Sequence, residues 1–371
     1  MESKSSNQVI GHRETRTFDN QVALLPEYHD SDLVMSPQPA KQESRYQIYR
    51  TSPEITAKIR PYFKRDNWRG IFQVLGDWGI VVLAIISSVW AWENLSTIVA
   101  VPIYAIAIAV IGAKQRGLKV NSHQATHKTL AKNKHLNYFL GTVLSSWAVL
   151  ESFSSYNDSH NSPSNGHHPN IGTNRDVNYM ALVRQGLYEE GCTRENLRRY
   201  LWSIPLKTPG YAIFLFQHRI WNSREDKQER IFRLLFLLIV TAGILYAGWA
   251  HLLLTYWLVP LLTFSMWIGI FIQVSEHYPL AGMDYKIDIY ASRNRLLNGF
   301  WNFFVATHQE GYHQLHHMFP GLPFWHSKAV HKILMETDEL YASLNQETGM
   351  GTLIQQMTPQ ATTDLSIGLT H

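Results

Sequence analysis

Two long stretches of this chain carry almost no charge, and that restricts its architecture more than anything else. Ile71 to Trp92 is broken only by Asp77, and Ser96 to Ala113 contains no charged residue. A third stretch, Leu234 to Gln273, is apolar apart from His251 and Pro260. A helix needs about 20 largely apolar residues to cross a bilayer. The pattern predicts spans near 71–92, 96–113, 232–250 and 253–273, arranged as two hairpins. Buried helices of a soluble enzyme seldom come as adjacent pairs separated by so few polar residues. The fold class expected is therefore an all-α integral membrane protein with four transmembrane helices.

Charge placement orients these spans. Lys64, Arg65 and Arg69 precede the first, Lys114, Arg116 and Lys119 follow the second, and Arg230 and Arg233 precede the third, whereas Glu93-Asn94-Leu95 carries no positive charge. The positive-inside rule then puts both termini and the 114–230 segment in the cytoplasm. The first 50 residues are polar and show no apolar core of a cleavable signal. Cys192 is the only cysteine, which excludes an intramolecular disulfide and any cysteine-built zinc or iron–sulfur site. Residues 1–45, rich in Ser, Gln and Asn, are expected to be disordered. A membrane domain follows over 46–344, and 345–371 reads as a polar, loose tail. Within the domain, 46–70 reads as an interfacial lead-in, and 136–150 as a membrane-surface or re-entrant helix. No internal repeat and no nucleic-acid motif is present.

Eighteen histidines occur in 371 residues, and they are not scattered. His313, His316 and His317 fall within one helical turn, which is expected to offer three imidazoles to a single point. His123 and His127 are four apart, His160 precedes the pair His167-His168, and His277 follows the last span. Neutral imidazole is the commonest metal ligand, and eight or nine of them exceed what one metal needs, so two metals are expected. An even number of spans separates the histidine groups, which returns all of them to one membrane face. His251 falls on the opposite face and is left out. Isolated histidines, His308 among them, are read as surface or satisfied polar groups.

The histidine groups, placed after the second and fourth spans, resemble the histidine boxes of the membrane fatty acid desaturase superfamily, in its bacterial branch. The resemblance runs from about Gly112 to Lys332. His123-x-x-x-His127 resembles the first box, with Gln115-Arg116 before it and Asn137 and Gly141 after it. Tyr312-His313-Gln-Leu-His316-His317-Met-Phe-Pro-Gly-Leu-Pro323 resembles the third, and Glu276-His277 an additional ligand position. Gln273 stands where the acyl-CoA branch has Asn. The second box departs from the His-x-x-His-His pattern: six residues separate His160 from His167, as though four had been inserted at Ser162 to Asn165. Gly172-Thr173 and Asp176 keep the family's spacing from His167-His168.

The resemblance implies an iron pair held by His123, His127, His160, His167, His168, His277, His313, His316 and His317 on a cytoplasmic helical cap. It also implies O2 as co-substrate and an acyl lipid or fatty acyl chain as the molecule oxidised. Zinc has no redox chemistry and its hydrolytic sites use three protein ligands, so a zinc membrane hydrolase is the weaker reading. Hydroxylation or oxidation of a lipid-like or specialised metabolite on the same fold remains open, as does a non-catalytic metal-binding role. No dinucleotide fingerprint, cysteine cluster or haem signature supplies electrons from within the chain. A separate ferredoxin or cytochrome b5 type donor is expected, reaching basic residues of 193–233. Glu276 is a candidate orienting partner for a ligand. Membrane lipids surround the spans, whose tryptophans suit an aromatic belt.

Overall fold

The protein is described by a computed structural model, which covers residues 47–188, 194–215, 225–283, 287–344 and 346–358. The expected disorder of 1–45, the end of the tail and Cys192 lie outside the described residues. The chain is mostly helical, and its only sheet among those residues is a two-stranded parallel ribbon.

Three helices are long and apolar enough to cross a membrane: Trp68–Asn94, Thr97–Thr126 and Ala250–His277. The first begins where Asp66 Oδ1 accepts from the backbone N–H groups of Trp68 and Arg69, satisfying donors that a helix start leaves free. It buries Val74, Asp77, Val81, Ser88 and Ala91, one face at helical spacing. The opposite face exposes Phe72, Leu83 and Ile86, the surface expected against lipid rather than water. Leu95 and Ser96 are extended, and the second helix starts at once, closing a tight hairpin.

The second and third long helices run parallel. Tyr104 donates to Thr255 O and Gln115 to Trp257 O. Between Tyr104 and Gln115, a Cβ on Gly112 would lie 2.6 Å from Phe264 Cβ, so glycine permits the approach. The third helix contains two π-type turns, Leu254–Leu258 and Leu261–Ser265, on either side of Pro260. Proline removes an amide donor there and distorts the ladder.

The expected third span, 232–250, needs correction. Its helix is Lys227–Tyr246, capped by Asp226 and ended before Gly248, whose φ is 76°. Lys227, Glu229, Arg230 and Arg233 occupy its first turns, so its charge-free part runs only from Leu234 to Tyr246. That is about 20 Å at 1.5 Å per residue, against a hydrocarbon thickness of about 30 Å.

Outside the spans, Pro53–Ile59 packs inward. Ile55 and Ile59 join Leu315, Leu322, Val330 and Leu334 in one buried cluster, so this lead-in belongs to the domain carrying the third histidine box. Residues 134–150 form a short helix, a π turn and a 3-10 turn that pack against the second long helix. The first part of the expected loose tail is also folded. Gln346–Thr348 pairs with Asn294–Leu296, and Met350–Gln356 buries Leu353, with Met357 just beyond it. Polar composition hid this, because pairing uses backbone and only two side chains are needed as anchors.

Candidate metal centre

The second long helix has 30 residues, about 45 Å at 1.5 Å per residue. It therefore outruns a hydrocarbon core of about 30 Å, and its far end carries His123, with His127 as the capping residue. The third long helix ends on His277 at the same level. Ser152 starts the helix Phe153–Asn161 by accepting from Ser155 N–H, which places His160 in the last turn. His167 and His168 open a one-turn helix, His167–Asn170, and the third box lies on His313–Met318.

All nine histidines marked in the sequence come together, in two groups. His123, His127, His160, His168 and His316 form one; His167, His277, His313 and His317 form the other; within each, the ligand atoms lie within 4.8 Å of one another. The third box does not converge on one point. Residues advance about 100° around a helix, so His313 and His317 share a direction and His316 faces the other group. The same rotation divides His167 from His168. His168 and His317 stack with centroids 4.3 Å apart, which joins the groups.

Hydrogen bonds set the ring orientations. His167 Nδ1 faces Asp176 Oδ2 at 2.9 Å, His277 Nδ1 donates to Ala291 O at 3.0 Å, and His313 Nδ1 lies 3.3 Å from Glu276 Oε1. Arg295 Nη2 donates to that same Glu276 oxygen at 2.7 Å. Asp176 also caps Val177–Arg184 through Asn178 and Tyr179 N–H and receives Gly172 N–H. One carboxylate thus fixes a helix start, a loop and an imidazole.

With these three Nδ1 atoms engaged, the Nε2 lone pairs of His167 and His313 both point at that of His277. His277 Nε2 is 3.0 Å from His167 Nε2 and 2.8 Å from His313 Nε2, and His313 Nε2 is 3.1 Å from His317 Nε2. In the other group, His160 and His127 Nε2 are 3.1 Å apart and His168 and His316 Nε2 3.0 Å. Facing lone pairs repel unless a proton or cation lies between them. A proton on His167 relieves only one of the two contacts at His277. Nitrogens bound at about 2.1 Å to one ion sit about 3.0–3.4 Å apart, so these spacings fit metal coordination. His123 Nε2 is buried without a protein partner, as expected of an atom that a ligand would engage.

The electrostatics favour neutral ligands. Burial first, then neighbouring imidazoles, holds His160, His168, His313, His316 and His317 well below the ordinary histidine pKa. Burial takes His127 down to about 4. His167 alone goes the other way: burial pulls it down, but the Asp176 charge and hydrogen bond outweigh that. Neutral imidazole is the form that binds metal.

The family model described as fatty acid desaturase matches residues 95–347, more than half of the chain. This chain belongs to the fatty acid desaturase family. It is also 28% identical over 323 residues to the dihydrorhizobitoxine desaturase of Bradyrhizobium elkanii, covering 83% of this chain and 86% of that relative. It is an integral membrane oxidoreductase of the desaturase type.

Within this desaturase the lengthened second box loops outward. Gly166 N–H returns to Ser162 O at 2.8 Å, and a Cβ on Gly166 would meet Ser162 N at 2.4 Å. The turn closes over Ser162 to Asn165, and His160 stays with its group. Gln273, at the family's Asn position, donates to Asn178 O and belongs to neither histidine group.

Several residues around the centre escaped the sequence reading. Asp77, noticed only as a break in an apolar run, is buried and lies 3.3 Å from Lys114 Nζ and 2.6 Å from His308 Nε2, and it accepts from Asn121. A lone carboxylate inside a span was the available signal. His308, dismissed for its isolation, pairs with a residue 231 positions away, which no local pattern shows. Arg116 pairs with Glu310, and Arg295 with Glu276.

Proposed function

We propose that this protein is an O2-dependent di-iron desaturase that introduces a double bond into an acyl chain. The observation that carries this reading is the pair of largely buried all-histidine groups, five and four strong, whose ligand nitrogens lie within 4.8 Å of one another in each. Nine nitrogens exceed the three protein ligands of a hydrolytic zinc site, and zinc lacks redox chemistry. When bound, two iron ions would supply the electron transfer that O2 reduction and C–H oxidation require. Overall, a –CH2–CH2– unit, O2, two electrons and two protons would give –CH=CH– and two waters.

The chain's own task is then geometric. Asp176, Ala291 O and Glu276 hold three rings so that Nε2 faces the ion sites. The packed helix ends exclude water from the centre, and positioning of one methylene selects which bond reacts. The electron donor is proposed to be a separate ferredoxin or cytochrome b5 type protein, because the sequence holds no redox motif of its own.

Four spans with both termini and the centre in the cytoplasm complete the reading. The second and third long helices are parallel, so the chain must recross the bilayer between them. Lys227–Tyr246 is the longest helix in that interval among the described residues, with its charged first turns beside the His160 helix, where Glu229 accepts from Phe153 and Ser154 N–H. Its 20 residues reach about 30 Å. Because His160 stands with its group, the altered second box lends hydroxylation no separate support. The relative's name is built on dihydrorhizobitoxine rather than on a fatty acid, so the acyl assignment rests on the family.

The test is metal content and product together. Full-length protein expressed with ample iron should hold about two irons per chain. Lipids of expressing cells should gain an alkene visible by mass spectrometry. His123→Ala or His313→Ala should remove both signals. Full activity with stoichiometric zinc, or an alcohol as the sole product, would overturn the reading.

A further inference from the structure

Beside the histidine centre lies a cavity of about 600 Å³ lined by residues from three parts of the chain. Lys114 comes from the second long helix, Arg295 from the small ribbon, and Lys328 from the first turn of Ser327–Thr337. Asn302, His308 and Gln309 add polar groups, and Leu297, Phe303 and Ala306 an apolar wall. None of the lining residues is a carboxylate, while three are Lys or Arg. Asp77 and Glu276 stand behind Lys114 and Arg295 as their partners. Lys328 has no carboxylate partner among the described residues and is exposed at the rim. Arg295 is fully buried, and its Nε has no partner.

The cavity is coupled to the centre. Gly311 and Tyr312 in its wall directly precede His313, and Arg295 touches the carboxylate that faces His313 Nδ1. Its lip is the aromatic helix Gly299–Val305, which exposes Phe300 and Trp301 and turns Asn302 and Phe303 inward. Exposed aromatics of this kind suit the level where lipid meets water.

We propose that this cavity binds the carboxylate or phosphate end of the molecule oxidised at the histidine centre. The inference rests on the desaturase reading for the word oxidised, but the binding itself does not require turnover. Asp77 and Glu276 offset Lys114 and Arg295, so Lys328, with the unpartnered Arg295 Nε in the same lining, leaves a net positive potential that an anionic group neutralises. The apolar wall receives the first carbons of such a molecule. Two sources share this chemistry: a long-chain anion arriving from the membrane through the aromatic lip, or a short water-soluble one.

Equilibrium binding to full-length, iron-loaded protein in nanodiscs tests the proposal, using radiolabelled palmitate, hexadecanol and butanoate. Lys328→Glu and Gln309→Glu each add a negative charge at the rim. An acidic residue is favourable in a first helical turn, and Glu keeps the oxygen that accepts from Lys328 N–H. Palmitate affinity should fall about tenfold in either variant, which is about 1.4 kcal/mol. Hexadecanol should change less than about twofold on the same scale, and Lys328→Arg should bind palmitate like the parent. Charge-sensitive butanoate binding without palmitate binding would support the cavity and assign it a soluble ligand. Palmitate and butanoate binding that ignores both substitutions overturns the proposal, whether or not the protein makes an alkene. Charge-sensitive binding with no oxidation keeps the cavity and overturns the desaturase reading instead.

Discussion

Asp176 shows how much one side chain carries here. Its Oδ1 caps a helix while Oδ2 receives Gly172 N–H and faces His167 Nδ1. Asp176→Asn keeps a capping oxygen but turns an amide donor toward the ring's own N–H. Iron affinity should fall about 10–100-fold, the usual cost of losing a partner behind a ligand. Thermal stability of the metal-free protein should change little, and a large loss there would recast Asp176 as purely structural. His331 offers a measurement away from the centre. Its Nδ1 accepts from Tyr341 Oη at 2.7 Å, while Tyr341 Oη receives Asn294 Nδ2. Burial lowers its pKa to about 4. A folded pKa below the unfolded value of about 6.5 means that the neutral form is the stabilising one. That contribution is complete above about pH 6.5 and is lost as pH falls toward 4. His331→Gln, which keeps an acceptor without a titration, should lose a few degrees less in melting midpoint between pH 7 and 4.5. Identical pH slopes for parent and variant would refute this.

Among the elements, the second box is the most informative. The helix Phe153–Asn161 delivers His160, the turn Ser162 to Gly166 loops out, and His167–Asn170 resumes the site. Function needs only the two flanking helices in register. Deleting Ser162 to Asn165 restores His-x-x-His-His and should leave iron content near two and turnover within about threefold, a change below about 1 kcal/mol. Loss of one iron in the deletion would show that the turn itself positions His160. Apolar length made the long helices legible, because lipid-facing stretches must be apolar throughout. It misjudged Lys227–Tyr246, where early charges and Gly248 shift both ends. It also missed the Gln346–Thr348 strand, since a three-residue backbone pairing leaves no side-chain pattern.

On the scale of the whole molecule, the proposed topology puts the bilayer between the centre and the Glu93–Leu95 link. His123 lies 26 residues beyond Thr97 on one helix, about 39 Å away along its axis. A reporter at Asn94 should therefore be accessible from outside the cell, while reporters at residues 1 and 371 should be accessible only from the cytoplasm. The Lys and Arg placement around the spans sets this sign. A C-terminus found outside would place the third box across the bilayer from the first and end the shared centre.

The nine histidines, their family and the membrane setting were readable from the chain alone, because ligand spacing and apolar length are local properties. Which imidazole serves which group was not, since helix rotation and the meeting of five separate helix ends divide them. The same holds for Asp77 with His308 and for the cationic cavity. Their partners lie far apart in sequence, and only the packing of the first two long helices against the segment before the third box brings them together.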